Sequence, residues 1–492
     1  MFRRGSVLVL VALIACAGVL AGCGAGKKSE AGKIAISTSS REARQAYLEG
    51  RDLFERLRVT NSLTLYEKAA SLDPAFALAE LGIANAVPTA KEAFAHMKRA
   101  VELAGKATDG ERLLILATAA GFNGNTSTQK KYLTELVAAF PDDERAQFNL
   151  GVYHYGLASY EDAIACLKKA TELAPGYSPA YNALGYAYRE TGRFAEAEQA
   201  FKKYIELIPD DPNPYDSDAE LLLKMGRFQE AVTAYRRALS LDSNFVTSRA
   251  GVAAALLYLG RPADATAELT RMLAMARNDA ERRTALFVQA VVDADGGRLA
   301  AALEQIRMEY AVARQTNDAA SMAADLRAQG AILVEMGRFD DARGAFDQAL
   351  TTIDQTDLAQ DVKDNLALLH HHDLVTVALG KRQADLVRSE SEEYQKGAAA
   401  MANPVLTRLG HELAGRVALA ARDYKSAIAE LQQADPQNPY NLYRLALAYQ
   451  ATGDAKSAHE YCARAANFNS TPALDYAFIR LKATRALARM KG

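Results

Sequence analysis

Between residues 110 and 272, small, apolar and turn-forming residues recur every 34 positions in one unbroken register. Within each interval, apolar residues follow one another at spacings of three and four, which places them on one face of a helix. A glycine or alanine fifteen residues into the interval separates two such stretches, and the residue past a helix end often needs a left-handed backbone. The pattern therefore predicts two antiparallel helices in every interval and no strands.

The recurring positions have a packing rationale. Counted from residues 110, 144, 178, 212 and 246, the eighth and twentieth positions are small, as at Gly185 and Ala197, so that paired helices can approach closely. The twenty-fourth position is large and apolar, as at Phe201, and fills the space beside them. Prolines near the end of three units stop the second helix, because proline lacks an N–H. The predicted turn residues are Gly124, Ala158, Gly192, Gly226 and Gly260.

These residues at this period resemble the tetratricopeptide repeat, a helix–turn–helix unit. The resemblance implies an all-α, right-handed superhelical solenoid, since one unit cannot bury its own apolar face and must stack on its neighbours. The same template fits more loosely elsewhere, giving about twelve units in total. The additional units start at or near Ala43, Ala77, Arg283, Ala323, Leu366, Arg408 and Pro439. In the last five of these, the turn falls at Gly297, Gly337, Gly380, Arg422 and Gly453.

The spacing divides the chain into two arrays and an end segment. Residues 41–277 form an N-terminal array with a strict period from residue 110, and residues 278–472 form a C-terminal array with longer intervals. The longer intervals predict longer helices or inserted loops. Residues 473–492 are expected to form a capping helix and tail, whose basic residues are typical of a solvated outer face. Contact of this basic face with anionic lipid or glycan is the alternative.

The first 22 residues are predicted to be a signal peptide. Two arginines precede a short apolar run over residues 7–20, which is too brief to span a membrane. The run ends in Leu-Ala-Gly-Cys at residues 20–23, which resembles the lipobox of bacterial lipoproteins. The resemblance implies cleavage before Cys23 and attachment of diacylglycerol to this cysteine, which would carry two or three acyl chains, including palmitate. The alternative is an ordinary signal peptide with an incidental cysteine.

The resemblance to lipoproteins also implies a location in the bacterial cell envelope. Because Gly24 stands where aspartate signals inner-membrane retention in enteric bacteria, the outer membrane, facing the periplasm, is favoured. Residues 23–40 are rich in Gly, Ser and Lys and predict a flexible tether between the lipid and the repeats.

Composition narrows the class of partner. With 58 basic and 60 acidic residues, the chain carries no excess of positive charge that would attract nucleic acid. Cys166 and Cys462 lie far apart along a solenoid in which only neighbouring repeats touch, so no disulfide is expected between them. Cys462 occupies a core position of its unit and is predicted to be buried.

No pattern in the sequence predicts catalysis, a cofactor or a metal. His370, His371 and His372 are consecutive, and consecutive helical side chains point about 100° apart, so they cannot converge on one ion. His411 and Glu412 begin like a zinc-protease motif, but residue 415, which would be the second histidine, is glycine. We expect this protein not to be an enzyme.

Function is expected on the concave surface. In proteins of this kind the first helix of each unit lines a groove, and its second, fifth, ninth and twelfth positions face it. Aromatic and arginine side chains there suit a peptide or a partner helix. Alternatively, some of these side chains contact only the neighbouring repeats. The predicted groove residues are Phe148, Val152, Tyr155, Asn182, Tyr186, Arg189, Asp216, Glu220, Tyr440 and Tyr443.

Three functions fit these features. The first is a membrane-anchored periplasmic scaffold that binds a partner segment during cell-envelope assembly or secretion. The second is a carbohydrate-associated factor in polysaccharide export or peptidoglycan regulation. The third is a non-catalytic accessory subunit of a membrane enzyme. The partner is expected to be a protein or peptide, and the membrane contact is expected to pass through lipidated Cys23.

Overall fold

The computed structural model describes residues 32–490, and every regular element in that range is helical. The all-α fold of paired helix–turn–helix repeats that the period predicts is thereby confirmed. No described helix is long and apolar enough to cross a membrane. The predicted signal peptide and Cys23 lie outside the described residues.

The helices of the first half are short and regular, with a single 3-10 turn at Ala104–Lys106. Their bounds are α1 (Arg41–Glu55), α2 (Val59–Leu72), α3 (Ala77–Ala86), α4 (Ala90–Leu103), α5 (Asp109–Phe122), α6 (Thr126–Ala139), α7 (Glu144–Gly156), α8 (Tyr160–Leu173), α9 (Ser178–Glu190), α10 (Phe194–Leu207), α11 (Pro212–Lys224), α12 (Phe228–Leu241), α13 (Val246–Tyr258) and α14 (Pro262–Ala274). The helices α7, α9, α11 and α13 begin on the residues that the register predicts. Helix α5 begins at Asp109, one residue before the predicted start.

From residue 279 onward most helices are longer. Their bounds are α15 (Asp279–Asp295), α16 (Leu299–Gln315), α17 (Ala319–Glu335), α18 (Phe339–Asp354), α19 (Gln360–Lys381), α20 (Ala384–Met401), α21 (Pro404–Ala420), α22 (Tyr424–Leu431), α23 (Pro439–Thr452), α24 (Ala455–Ala466) and α25 (Leu474–Met490). Helices α7 to α14 have 13 or 14 residues, whereas α15, α16 and α17 have 17 and α19 has 22. The extra residues of the longer intervals therefore lie mainly within helices.

The turns inside the repeats have the left-handed backbone that the sequence predicts. Gly124 and Gly192 have φ of +75° and +74°, and Ala158 adopts +56° although it carries a side chain. The repeat near Leu366 differs, because its turn residue is Arg382, with φ of +57°, and not Gly380. Helix α19 continues through Gly380, where a Cβ atom would lie 2.2 Å from the ring of Phe339. Gly380 therefore serves close packing of that ring rather than the turn.

Large side chains of the second helix in a repeat pack against small residues of the first helix. A Cβ atom on Gly185 would lie 2.5 Å from the Phe201 ring, and one on Gly151 would lie 2.8 Å from Leu167. Both large side chains are fully buried. The pairing of small and large positions read from the sequence is the contact that closes each helix pair.

The described chain forms two compact units. The first contains residues 32–221 and 237–243, and the second contains residues 222–236 and 244–490. The change in helix length at α15 and the division into units thus fall at different places along the chain.

In the first unit, an extended segment of residues 33–39 precedes α1. The Ile34 N–H donates to Asp143 Oδ2 at 2.8 Å, and Arg145 Nη2 donates to the Ile34 carbonyl at 2.9 Å. The Ser37 N–H donates to Glu111 Oε1 at 2.8 Å. This part of the predicted tether is therefore held along the N-terminal ends of α5 and α7.

In the second unit, α25 has an exposed basic face, with Lys482, Arg485 and Arg489 exposed, and an apolar face that packs against other helices. On the apolar face, Phe478 packs in one cluster with Val291 and Ala294 of α15. Arg480 Nε donates to Asp295 Oδ1 at 2.5 Å, and Lys482 Nζ lies 2.7 Å from Glu335 Oε2. Two of the basic residues thus pair with carboxylates of α15 and α17, which are distant in sequence.

Candidate functional site

The predicted groove residues of the first unit lie on α7, α9 and α11, the first helices of three consecutive repeats. Three of the predicted residues, Phe148, Asp216 and Glu220, are buried and so do not offer an open surface. The Phe148 ring packs edge-on against Tyr177, with ring centroids 5.4 Å apart. Phe148 therefore belongs to the packing between repeats, which is the alternative that the sequence left open.

Arg189 is the centre of the remaining set. Its Nη1 donates to Glu220 Oε2 at 3.0 Å, and its Nη2 donates to Glu190 Oε1 at 2.8 Å. Its guanidinium lies over the Tyr186 ring, 4.6 Å from the centroid. The Tyr186 hydroxyl lies 3.2 Å from Ser217 Oγ on α11. We call Tyr155, Tyr186, Arg189, Glu190, Asp216 and Glu220 the Arg189 cluster.

The charges of the Arg189 cluster stabilise one another. Burial alone would lower the pKa of Arg189, but Glu190, Tyr155 and Glu220 raise it well above its ordinary value. Burial and the nearby carboxylate of Glu220 raise the pKa of Tyr186 well above 10. Arg189 therefore stays charged and Tyr186 stays protonated at physiological pH, so that both present hydrogen-bond donors.

Tyr155 of this cluster is half-buried, as are the predicted groove residues Val152 and Asn182. The Tyr155 ring lies against Tyr160, with centroids 5.6 Å apart, and burial followed by Glu190 raises its pKa well above 10. Val152 precedes Tyr155 on the same helix. The Asn182 amide oxygen is buried and has no hydrogen-bond partner among the described residues. Asn182 is thus a polar side chain with an unused acceptor.

The predicted groove residues of the second unit contribute to its own packing. The Tyr440 hydroxyl donates to Glu335, and the Arg444 guanidinium lies 4.7 Å from the Tyr440 ring centroid. Burial, and then Glu335, raise the pKa of Tyr440 well above 10. Tyr443 packs against the core formed by α23, α24 and α25. Neither tyrosine is fully exposed.

A second group of charged side chains, which the sequence analysis did not select, lies along α17, α19, α21 and α23. Arg327 Nε donates to Asp373 Oδ2 at 2.7 Å, and Arg444 Nη1 donates to Glu412 Oε1 at 3.0 Å. We call Arg327, His372, Asp373, Thr376, Glu412, Arg416 and Arg444 the Arg416 cluster. The register could have found part of it, since Arg327 and Arg416 are the fifth and ninth residues of their predicted units.

Ion pairing sets the pKa values of these carboxylates. Burial would raise the pKa of Asp373, but Arg327 and the hydrogen bond from His372 lower it to about 2. Burial likewise opposes ionisation of Glu412, whereas Arg444 and then His372 lower its pKa. Both carboxylates are therefore charged at physiological pH.

The three consecutive histidines contact different groups, as the helical geometry predicts. His370 Nε2 lies 3.2 Å from Asp347, and His371 Nδ1 lies 2.6 Å from Glu390. The His372 ring packs 5.9 Å from the Tyr394 ring. Within residues 32–490, no three His, Cys, Asp or Glu side chains are arranged to hold a metal ion. Cys462 is buried, as predicted, and both Cys166 and Cys462 are free thiols.

Comparison with known families identifies part of this architecture. Models described as tetratricopeptide repeat match residues 116–178, 153–212 and 222–286. Residues 116–212 and 222–286 thus match tetratricopeptide repeat models. The repeat type inferred from the 34-residue period is thus confirmed over these stretches, and such repeats indicate a scaffold for protein–protein interaction.

Solved structures with similar folds include other repeat proteins. A thermophilic TPR protein from Thermus thermophilus is 24% identical, with a TM-score of 0.30, over 44% of this chain and 99% of that one. A tetratricopeptide repeat protein from Parabacteroides merdae is 12% identical, with a TM-score of 0.36, over 58% and 99%. The APC/C hetero-tetramer Cut9-Hcn1 is 14% identical, with a TM-score of 0.42, over 92% and 76%. With identities and scores this low, none of them bears on function, and no curated protein matches.

Proposed function

We propose that this protein is a lipid-anchored scaffold of the bacterial cell envelope that binds a segment of a partner protein on its inner face. The Arg189 cluster is the observation that carries the proposal. It places the half-buried rings of Tyr155 and Tyr186 on consecutive first helices, and such side chains supply much of the binding energy of protein interfaces. The proposed setting is the outer membrane, facing the periplasm, and the proposed role is envelope assembly or secretion.

The unpartnered oxygen of Asn182 supports binding at this face. A buried acceptor without a hydrogen bond costs about 1–3 kcal/mol. A backbone N–H of a bound segment would satisfy this oxygen once a side-chain rotation brings it to the surface, so part of the binding energy would come from relieving this cost. Because Asn182 and Tyr186 are one turn apart on α9, a single segment can contact both.

The extended segment at residues 33–39 limits how far the repeats can lie from the membrane. Since Lys33 is held by Glu144, with Nζ 2.5 Å from Oε2, only residues 24–32 separate the proposed lipid on Cys23 from the folded unit. Even fully extended, these residues reach about 30 Å. The scaffold would therefore act on partners close to the membrane surface.

The anchor can be tested with one substitution and a matched control. We expect Cys23→Ser to abolish incorporation of labelled palmitate and release the protein from membranes, because it removes the thiol that would carry diacylglycerol. Cys166→Ser removes another cysteine and should leave both properties unchanged. Incorporation of label by Cys23→Ser would show that the anchor assignment is wrong.

Partner binding can be tested in the same strain. Chemical crosslinking in intact cells, followed by purification of the protein from membranes, should recover an envelope protein. Retention on peptidoglycan or glycan with no crosslinked protein would contradict a protein scaffold.

A further inference from the structure

In the Arg416 cluster, two of the three guanidiniums have a carboxylate of their own and the third does not. Arg327 is paired with Asp373 and Arg444 with Glu412, as described above. Arg416 Nη2 donates to the neutral Thr376 hydroxyl at 2.8 Å. Its one carboxylate contact among the described residues is Glu412 Oε1, which lies 3.8 Å from Nη1 and already accepts from Arg444. Arg416 therefore lacks a hydrogen-bonded counterion within the described chain.

This lack has an energetic consequence. The Arg416 side chain is only 11% exposed, and removing a charge from water is costly unless the charge is paired. Burial, and then repulsion from Arg444, lower the pKa of Arg416 to about 10. The guanidinium is thus charged at physiological pH but poorly compensated in the free protein.

A second unused polar group lies on the same stretch of α19. His372 Nε2 is buried and has no hydrogen-bond partner among the described residues. The His372 carbonyl accepts from the Thr376 hydroxyl at 3.0 Å, so this histidine is one turn from the residue that contacts Arg416. Unused polar capacity is thus found on both α19 and α21.

We propose that Arg416, one helix away from Arg444, forms a binding site for a carboxylate on an acidic segment of a partner protein. This inference rests on the scaffold function proposed above and names the chemistry of one partner. A carboxylate would accept charge-assisted hydrogen bonds from Arg416, which are about twice as strong as neutral ones. It would also supply the counterion that the free protein lacks.

The surroundings favour a protein segment over a small free anion. Leu447 is 36% exposed and lies one turn after Arg444 on α23, so an apolar surface borders the charge. An acidic segment with an apolar residue nearby can contact both features. Inorganic phosphate would contact only the charged groups.

The test compares Arg416→Gln with Arg416→Lys and with Arg388→Gln, an exposed arginine on α20. Binding of rhodamine-labelled hexaglutamate to the whole protein is followed by fluorescence anisotropy at low salt, with hexaglutamine and inorganic phosphate as further ligands. We expect Arg416→Gln to weaken hexaglutamate binding about tenfold or more. Arg416→Lys should retain part of the affinity, and Arg388→Gln should retain all of it.

Stability separates a binding role from a structural one. Since Arg416 is poorly compensated, Arg416→Gln should melt at the same temperature as the natural protein or higher. Equal affinity of Arg416→Gln for hexaglutamate, a preference for hexaglutamine or phosphate, or a marked loss of melting temperature would each overturn the proposal. If Arg416→Gln meets both expectations but keeps every crosslinked partner in cells, the partner binds elsewhere and only this inference fails.

Discussion

The Arg189 cluster and the Arg416 cluster both lie on the first helices of repeats. The balance of positive and negative charge is opposite in the two clusters. Around Arg189, Glu190 and Glu220 both accept hydrogen bonds and Asp216 lies nearby, so carboxylates outnumber the guanidinium. Around Arg416, three guanidiniums accompany Asp373 and Glu412. Arginine at an inner-face position is therefore a structural ion-pair partner in one case and an under-compensated cation in the other.

This difference predicts opposite results from the same kind of substitution. Arg189→Ala leaves Glu190 and Glu220 without their cation while both side chains remain about nine-tenths buried. We expect a loss of about 3–5 kcal/mol in the free energy of unfolding, since breaking a buried pair strands the remaining charge. Arg416→Gln should cost nothing or stabilise. Urea denaturation followed by circular dichroism measures both.

A stability loss below about 1 kcal/mol for Arg189→Ala would show that the Arg189 cluster is solvated and contributes little to the fold. In that case the contrast between the two clusters would not hold. The exposed pair of Arg388 with Asp385 supplies the matched control, because both side chains are largely exposed and Arg388→Gln should change stability very little.

The sequence predicted the repeats well because their determinants are local. The starts of α7, α9, α11 and α13 and the left-handed turns follow from the spacing of small, apolar and turn residues within 34 positions. The partner of Arg480 could not be predicted, since Asp295 is 185 residues away and the contact depends on how α15 and α25 pack together. For the same reason the burial of Phe478 could not be predicted, whereas Lys482, Arg485 and Arg489 are exposed, in agreement with the solvated face that the basic residues predict.

The charged clusters were predictable only in part. The repeat register placed Arg189 on an inner face and could have placed Arg416 there, because a position within a repeat fixes the direction of a side chain. The register cannot report every carboxylate within reach, since Glu220 and Asp373 come from other repeats. Whether an inner-face arginine is compensated is therefore visible only in the three-dimensional structure.

Acidification should affect the two units differently. The pKa of Asp373 is lowered from 3.8 to about 2, so its pairing stabilises the fold above pH 4 and is lost as pH falls toward 2. The stabilisation amounts to roughly 2 kcal/mol. In the first unit the pKa of Asp143 is also lowered. Burial, however, raises the pKa of Glu55 well above 4.5, so protonation of Glu55 favours the folded state.

We therefore expect hydrogen exchange in α17 and α19 to accelerate between pH 4 and pH 2, after correction for intrinsic rates. Mass spectrometry of peptides from both units gives the comparison within one sample. Asp385→Asn, at an almost fully exposed carboxylate, should leave the profile unchanged. Protection of α19 that persists to pH 2 would contradict the assigned role of the Arg327–Asp373 pair.

The smallest expected effect on stability concerns Asn182, which is the counterpart of Arg416 in the first unit. Its buried amide oxygen has no hydrogen-bond partner among the described residues, so Asn182→Leu removes an unsatisfied group and keeps the branching of the side chain. We expect the free energy of unfolding to change by less than about 1 kcal/mol. Crosslinking of the partner should nevertheless fall, because the bound segment loses the acceptor on α9. A variant that melts normally and keeps all crosslinks would show that this face does not bind the partner, and attention would move to the Arg416 cluster. A variant that melts several degrees lower would instead assign Asn182 to the packing between repeats, as the structure already assigns Phe148.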